Sequence, residues 1–396
     1  MMRRLRVVGL SLAFLSLAML VVSAQAGTAK PHSGKVKQTA RPVHALAMDG
    51  PRVAYITHGR VQVWNVSTGV ISAIKGNYPS YGKHGSVRYG AAGTDEVAIA
   101  GKRVALITRF VAGNSEETQE RLYTAPLGGT ARQLGKPTFH TTAAGNCDAV
   151  PPLPGGADGD WLGGLVGSGK VLAVSRWKAD GTSPTESKDE RLDLIGPTKL
   201  RTIASGPGVI VSQSTNSGHI AVLRSTEAWP PYYQGPLKQS TPMVGIYSSG
   251  GALLGEVALA PVQSDSCLGQ SLGLIRIALS GNRLVVLRVE FPQPGSSTAT
   301  VTVYDWTTGA LVNTWPLAAP RANGVLVSGR IAVIEGTLKL RLLDLTTGET
   351  ATSAATNPAT IGSRGLVYAV NTYRKWPGHG KLVFVPTANL LAALNK

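Results

Sequence analysis

Three stretches of the chain gather aromatic rings and cations. "GNYPSYGKHGSVRYG" (76–90) carries Tyr78, Tyr81, His84 and Arg88. "EAWPPYYQGPLK" (227–238) sets Trp229, Tyr232 and Tyr233 among three prolines. "TYRKWPGHGK" (372–381) holds Tyr373, Arg374, Trp376 and His379. Rigid rings beside cations stack on sugars, pair with phosphate or carboxylate, and anchor partner surfaces. These eleven side chains are the candidate binding residues. The bland alternative is that the same rings pin their own loops to the body of the protein.

Other chemistry is sought and not found. The chain has no His-Glu-x-x-His, no Gly-x-Ser-x-Gly and no paired-cysteine metal spacing, so no catalytic residue, metal or cofactor is expected. "GLVGSGKV" (164–171) resembles a P-loop but lacks Ser or Thr after Lys170 and reads as a hairpin. "ADGDW" (157–161) offers Asp158 and Asp160 without the further ligands a calcium loop needs, and reads as a solvated turn.

The elements that must position these residues follow from a repeat. "VYDWTTGALVNTW" (303–315), "LLDLTTGETATSA" (342–354) and "VWNVSTGVISAIK" (63–75) write one pattern three times: apolar pair, Asp or Asn, Thr-Gly turn, second extended run. Upstream of each lies another apolar pair of runs around a glycine turn, as in "VLVSGRIAVIE" (325–335) and "IALSGNRLVVLR" (277–288). Seven such units can be counted. Gly50, Gly101, Gly169, Gly218, Gly281 and Gly329 mark the first turn, and Gly69, Gly129, Gly196, Gly250, Gly309 and Gly348 the second. Two-residue hairpin loops need positive φ, which glycine supplies without strain.

Each unit is thus four short antiparallel strands. One such sheet cannot bury both faces alone, and radial stacking does it. The fold expected is all-β: a single seven-bladed β-propeller over 43–395, with blades at about 43–75, 94–134, 161–204, 208–259, 272–317, 322–354 and 357–395. The units resemble WD-repeat and quinoprotein-like propellers of secreted bacterial proteins. The Gly-His and Trp-Asp pairs of WD repeats are absent, so the resemblance is to the superfamily. "YDWTTGALVNTW" (304–315) also resembles the tryptophan docking motif of quinoproteins, with Trp315 further from Gly309 than in that motif.

Residues 1–26 read as a cleavable signal peptide: Arg3, Arg4 and Arg6, an apolar run, then Ala24-Gln25-Ala26. Residues 27–42 read as a basic flexible leader. The mature chain is expected outside the cytoplasm, secreted or envelope-associated, without a membrane span and monomeric. The net charge is +17, leader included, which suits anionic envelope polymers; nucleic acid is not expected.

Strand parity sorts the connections. In a four-stranded blade the A–B and C–D turns lie on one face of the disc, and the B–C loops and D–A crossovers on the other. The long segments, 76–95, 109–120, 135–160, 178–190, 227–242, 260–271, 290–300 and 372–380, all fall on the second. Cys147 and Cys267 lie there too; as the only two cysteines of an exported chain they are expected to form a disulfide. The reading is a binding or scaffold propeller whose long-loop face takes a glycan, an anionic envelope polymer or a protein. The alternative is a propeller enzyme, quinoprotein-type oxidoreductase or lyase or hydrolase, with its site at the mouth of the central channel.

Overall fold

The computed structural model describes residues 34–395 apart from 79–91, 112–116, 143–156, 181–189, 207–208, 226–238, 241, 261, 264–272, 291–296, 319–321, 337–338, 354–357 and 373–377. The chain begins with β1 (Val36–Thr39). Blade I is β2 (Val43–Asp49), β3 (Arg52–Thr57), β4 (Arg60–Asn65) and β5 (Ile71–Ala73). Blade II is β6 (Ala92–Ala100), β7 (Arg103–Val111), β8 (Glu117–Pro126) and β9 (Arg132–Thr142). Blade III is β10 (Ala157–Ser168), β11 (Val171–Asp180), β12 (Glu190–Ile195) and β13 (Leu200–Gly206). Blade IV uses β14 (Val209–Asn216), β15 (His219–Ser225), β17 (Met243–Ser248) and β18 (Leu253–Ala258). Beside blade IV, β16 (Gln239–Ser240) pairs with β19 (Val262–Gln263). Blade V is β20 (Gly273–Ser280), β21 (Arg283–Glu290), β22 (Thr298–Asp305) and β23 (Ala310–Leu317). Blade VI is β24 (Ala322–Ser328), β25 (Ile331–Gly336), β26 (Leu340–Asp344) and β27 (Thr350–Ser353). Blade VII opens with β28 (Ala359–Gly362), β29 (Gly365–Thr372) and β30 (His379–Pro386), and α1 (Thr387–Leu394) follows.

Every pairing within a blade is antiparallel, and the first strands β2, β6, β10, β14, β20, β24 and β28 contact one another in that order, β28 closing back on β2. This is a seven-bladed β-propeller. Burial explains the composition of the strands. The second strand of each blade is covered by a neighbouring sheet on both sides, so it reads as an unbroken apolar run rather than an alternating one. Val53, Ala54, Tyr55 and Ile56 of β3 are consecutive and all buried. Outer strands such as β23 face water along most of their length. Seven hydrophobic clusters result, one between each pair of neighbouring blades.

The ring closes in a way that corrects two expectations. Val36–Thr39 belongs to the expected flexible leader 27–42 but is a strand: β1 pairs with β30, Val36 opposite Val383 through Thr39 opposite Gly380, and supplies the fourth strand of blade VII. The segment expected to finish that blade as strand, turn, strand instead leaves β30 as a helix. Leu390 and Leu394 stand four residues apart, on one helical face, and are buried in the blade VI–VII cluster. A sheet edge already occupied by the N-terminal strand has no place for a C-terminal one.

The repeated turn sequence has a structural cause. In blade V, the Asp305 carboxylate accepts from Thr307 N–H at 2.9 Å and Thr307 Oγ1 at 2.6 Å. In blade VI, Asp344 accepts from Thr346 N–H; in blade I, Asn65 accepts from Ser67 and Thr68 N–H. Such local bonds fold the backbone over its own side chain. The residue between, Val66, Trp306 or Leu345, is buried, and its N–H donates to the first turn of the same blade at Pro51, Asn282 or Arg330 O. All six glycines named for the first turn have positive φ. For the second turn this holds at Gly69, Gly309 and Gly348, whereas in blades II and IV the positive φ falls on the neighbours Gly128 and Gly251. Gly196 is not in that region; the two glycines of a Gly-Gly pair cannot be ranked from sequence.

Candidate ligand-binding face

The two faces of the disc differ in how they are built. On one, the turn between first and second strand is two residues in every blade, from Gly50-Pro51 to Ser363-Arg364. These turns are tied from blade to blade. Asp49 of blade I accepts from Gly101 N–H of blade II at 2.6 Å and from Gly169 N–H of blade III at 2.9 Å. Asn216 of blade IV accepts from Gly281 N–H, and Ser280 of blade V from Gly329 N–H. The P-loop-like stretch thus ends in a hairpin whose Gly169 N–H faces a carboxylate, which repels phosphate. The outer rim is tied in the same manner. Lys35, just before β1, donates to Val66 and Ser67 O of blade I; Arg201 reaches Ser249 and Gly250 O of blade IV. Trp315 packs into the blade V–VI cluster against Gly348, where an added Cβ would sit 2.4 Å from its ring. Trp315 therefore docks on the next blade.

The opposite face carries the connections that vary. Only His58-Gly59 separates β3 from β4, whereas 17 residues separate β15 from β17. The pair β16–β19 joins the B–C connection of blade IV to the crossover into blade V, so both lie on this side. Blades II and III also merge here: Thr142, Thr141 and His140 pair with Ala157, Asp158 and Gly159 into one eight-stranded sheet. The "ADGDW" residues are thus strand rather than turn.

Of the expected binding residues, two fall within the described structure. Tyr78 is buried between blades I and II: its hydroxyl donates to Ile74 O at 2.9 Å and accepts from Val61 N–H at 3.1 Å, and Arg60 stacks on its ring at 5.1 Å. A phenol with both functions satisfied in a core pins its loop and is unavailable to a ligand, which corrects its assignment. His379 is exposed at the start of β30, opposite Thr372, on the long-connection face. Tyr81, His84, Arg88, Trp229, Tyr232, Tyr233, Tyr373, Arg374 and Trp376 lie outside the described residues, as do Cys147 and Cys267. Among the described residues no group of three His, Cys, Asp or Glu could hold a metal ion, and no helix is long and apolar enough to cross a membrane.

Sequence reasoning missed a charged cluster at this face. The first strands of blades I, II, III, IV and VI each break register with a bulge at the same distance from the first turn, as between Val43 and Ala45 or Thr94 and Glu96. Bulges redirect side chains, and here they set His44 and Asp95 at equivalent places in neighbouring blades. Behind them Arg109 bonds Glu120 at 2.6 Å and Glu96 at 2.9 Å, with Asp95 at 3.8 Å. The second oxygens of Glu120 and Glu96 accept from Leu162 and Leu165 N–H of blade III at 2.6 and 3.0 Å. Burial raises the pKa of Glu96 against the opposing pull of Arg109. Burial also disfavours the charge of Arg109, but Glu96 and Glu120 outweigh it and hold the guanidinium protonated. His44 has its pKa lowered by desolvation, opposed by Asp95. Because Glu96 and Glu120 have both oxygens engaged, the cluster works as a lock between blades II and III, not as an acid–base pair. In blade VI, Glu335 lies over Gly324, where a side chain would collide with its carboxylate, and burial raises its pKa to about 7. The legible signal was a charged residue one or two places beyond an apolar run, as in "TDEVAIAG" and "VALITRF".

No protein-family model and no curated protein matches the chain. Among solved structures, the computationally designed Ika8 protein aligns at 14% identity over 88% of this chain and 98% of its own, with a TM-score of 0.39. BamB from Moraxella catarrhalis aligns at 9% identity over 86% and 85%, TM-score 0.40, and the AfRom2 CNH domain at 10% over 90% and 98%, TM-score 0.43. The fold rests on the strand order and ring contacts above.

Proposed function

We propose that the chain is an exported binding or scaffold propeller whose long-connection face takes a glycan, an anionic envelope polymer or a protein partner. What supports this reading is the asymmetry of the disc. One face has two-residue first turns in all seven blades, stitched together by bonds from one blade to the next, and second turns of four or five residues; the other carries the connections whose lengths differ most. Loops held on a rigid frame are where recognition is usually sited. The signal-like residues 1–26 and the net charge of +17 point toward anionic envelope material. In this reading the mature chain is a monomer with Cys147 bonded to Cys267, and Trp229, Tyr232, Arg374 and Trp376 contact the partner.

The test is retention of purified protein on isolated cell-envelope material across a salt series. Retention should weaken as salt rises, because screening shortens to about 8 Å at physiological ionic strength. It should fall further in the triple variant W229A/Y232A/W376A. Undiminished retention by a folded triple variant would remove those rings from the site. Absence of retention by the unaltered protein at low salt would remove the reading.

A further inference from the structure

Blade II stands taller than blade I. β7 and β8 are 9 and 10 residues long, whereas β3 and β4 are 6 each. At the rise of an extended strand this lifts the end of blade II about 10 Å above the His58-Gly59 turn. The face of blade II toward blade I carries Val104, Leu106, Thr108 and Phe110 on alternate positions of β7. Val104 and Leu106 lie in the blade I–II core, and Thr108 is buried, but Phe110 has passed the top of blade I and is 36% exposed. An apolar stripe that belongs to a core thus runs on into solvent.

Register extends it sideways. Phe110 pairs with Gln119 and Gln119 with Phe139, so the three side chains share one face on adjacent strands. Phe139 is 46% exposed. The rings stand two strand spacings apart, about 10 Å. The amide between them is held in place: Arg121, on the same face of β8, donates from Nε to Gln119 Oε1 at 3.1 Å. On the reverse face the bonds from Arg109 to Glu120 and from Leu162 to Glu120 hold this part of the sheet against blade III.

We propose that the Phe110–Gln119–Phe139 row is a carbohydrate platform for an extended β-linked polysaccharide. The inference deepens, and rests on, the reading of the long-connection face as the binding face. In such a chain the pyranose ring faces are apolar and the hydroxyls point outward. Two rings about 10 Å apart match alternate sugars of the chain, with Gln119 and Arg121 placed for the hydroxyls between. A protein partner suits the row less well. Stable interfaces need about 800 Å² from each side, and two half-exposed rings separated by a polar pair offer far less apolar surface.

The test is affinity electrophoresis through native gels containing hydroxyethylcellulose, carboxymethylcellulose or dextran. The protein should be retarded by both β-1,4-linked polymers and not by the α-linked dextran. F110A/F139A should reduce retardation at least tenfold, Q119A severalfold, and F110Y/F139Y should keep it. Thermal unfolding checks that each variant is folded; F139A alone, at the more exposed position, serves should the double variant unfold. Equal mobility of the unaltered protein in all three gels overturns the platform, as does full retardation of folded F110A/F139A or F139A. Retention on envelope material without retardation by either β-1,4 polymer would sink the platform while leaving the broader reading intact.

Discussion

Both faces of the disc join one blade to the next through polar groups, but by different chemistry. On the short-turn face the acceptors are Asp49, Asn216 and Ser280, and the donors are backbone N–H groups of glycine turns at partly exposed sites. On the long-connection face the joint between blades II and III is a cluster around Arg109 in which Glu120 is 1% exposed. Blade III has a similar pair: Arg176 with the fully buried Asp193, whose other oxygen accepts from Thr202 Oγ1 at 2.7 Å. The first kind of joint is cheap to form and repeats from blade to blade. The second is costly to break because it leaves a charge in a dehydrated place. The short-turn face also buries a carboxylate, Asp344 on Arg330 at 3.1 Å, but within one blade; the buried ionic cluster that spans two blades lies on the face that varies most in its connections.

The difference is broken most severely at Arg109. Arg109→Met leaves Glu96 and Glu120 without their cation, at a cost of about 3 kcal/mol, and a denaturant midpoint reads it. Adding Glu120→Gln should return part of the loss, since a neutral amide tolerates that site better. A merely additive double variant would mean the cluster is not a coupled unit. Next in size is Gly348→Ala on the other face. Its φ of +79° and the 2.4 Å approach of a Cβ to Trp315 act together, for about 2 kcal/mol of lost stability. Smaller again is Asp49→Ala, which removes acceptors for two N–H groups that water can partly replace. About 1 kcal/mol is expected, and hydrogen exchange should quicken at Gly101 and Gly169 but not at Gly281.

Much of this architecture could be read from the chain. The glycine turns and apolar runs are local signals, and they placed seven blades and their two-residue first turns. What escaped is set by distant partners. β1 is a four-residue strand of mixed polarity whose partner lies at the far end of the chain, so no periodicity marks it. α1 is eight residues long, and its packed residues Leu390, Leu391, Ala393 and Leu394 form a short apolar run without a clear helical period. Tyr78 resembles every other loop tyrosine until Ile74 O and Val61 N–H are found on its hydroxyl. Arg109, Glu96 and Glu120 sit on three strands, and Leu162 and Leu165 on a fourth. Each looks like a strand-end charge until the ring brings them together.

The last comparison, read as a slope with pH rather than as a single loss, concerns Glu335, the counter-case to Arg109 on the same face. It is a largely dehydrated carboxyl, and burial alone raises its pKa from 4.5 to about 7. In the unfolded chain it would ionise near 4.5; in the folded protein it holds its proton longer. Between those values the folded state binds more protons, so its contribution to stability is fully present below about pH 4.5 and is lost as pH rises through about 7. Glu96 shifts in the same direction, so the unaltered protein alone does not isolate the effect. Glu335→Gln does, because a neutral amide fits over Gly324 without titrating. The urea midpoint of the unaltered protein should fall between pH 5 and 7.5 more steeply than that of Glu335→Gln, the two converging at the acid end. Parallel profiles would show that water reaches Glu335, and the contrast between a locked charge at Arg109 and a dehydrated one at Glu335 would then be lost.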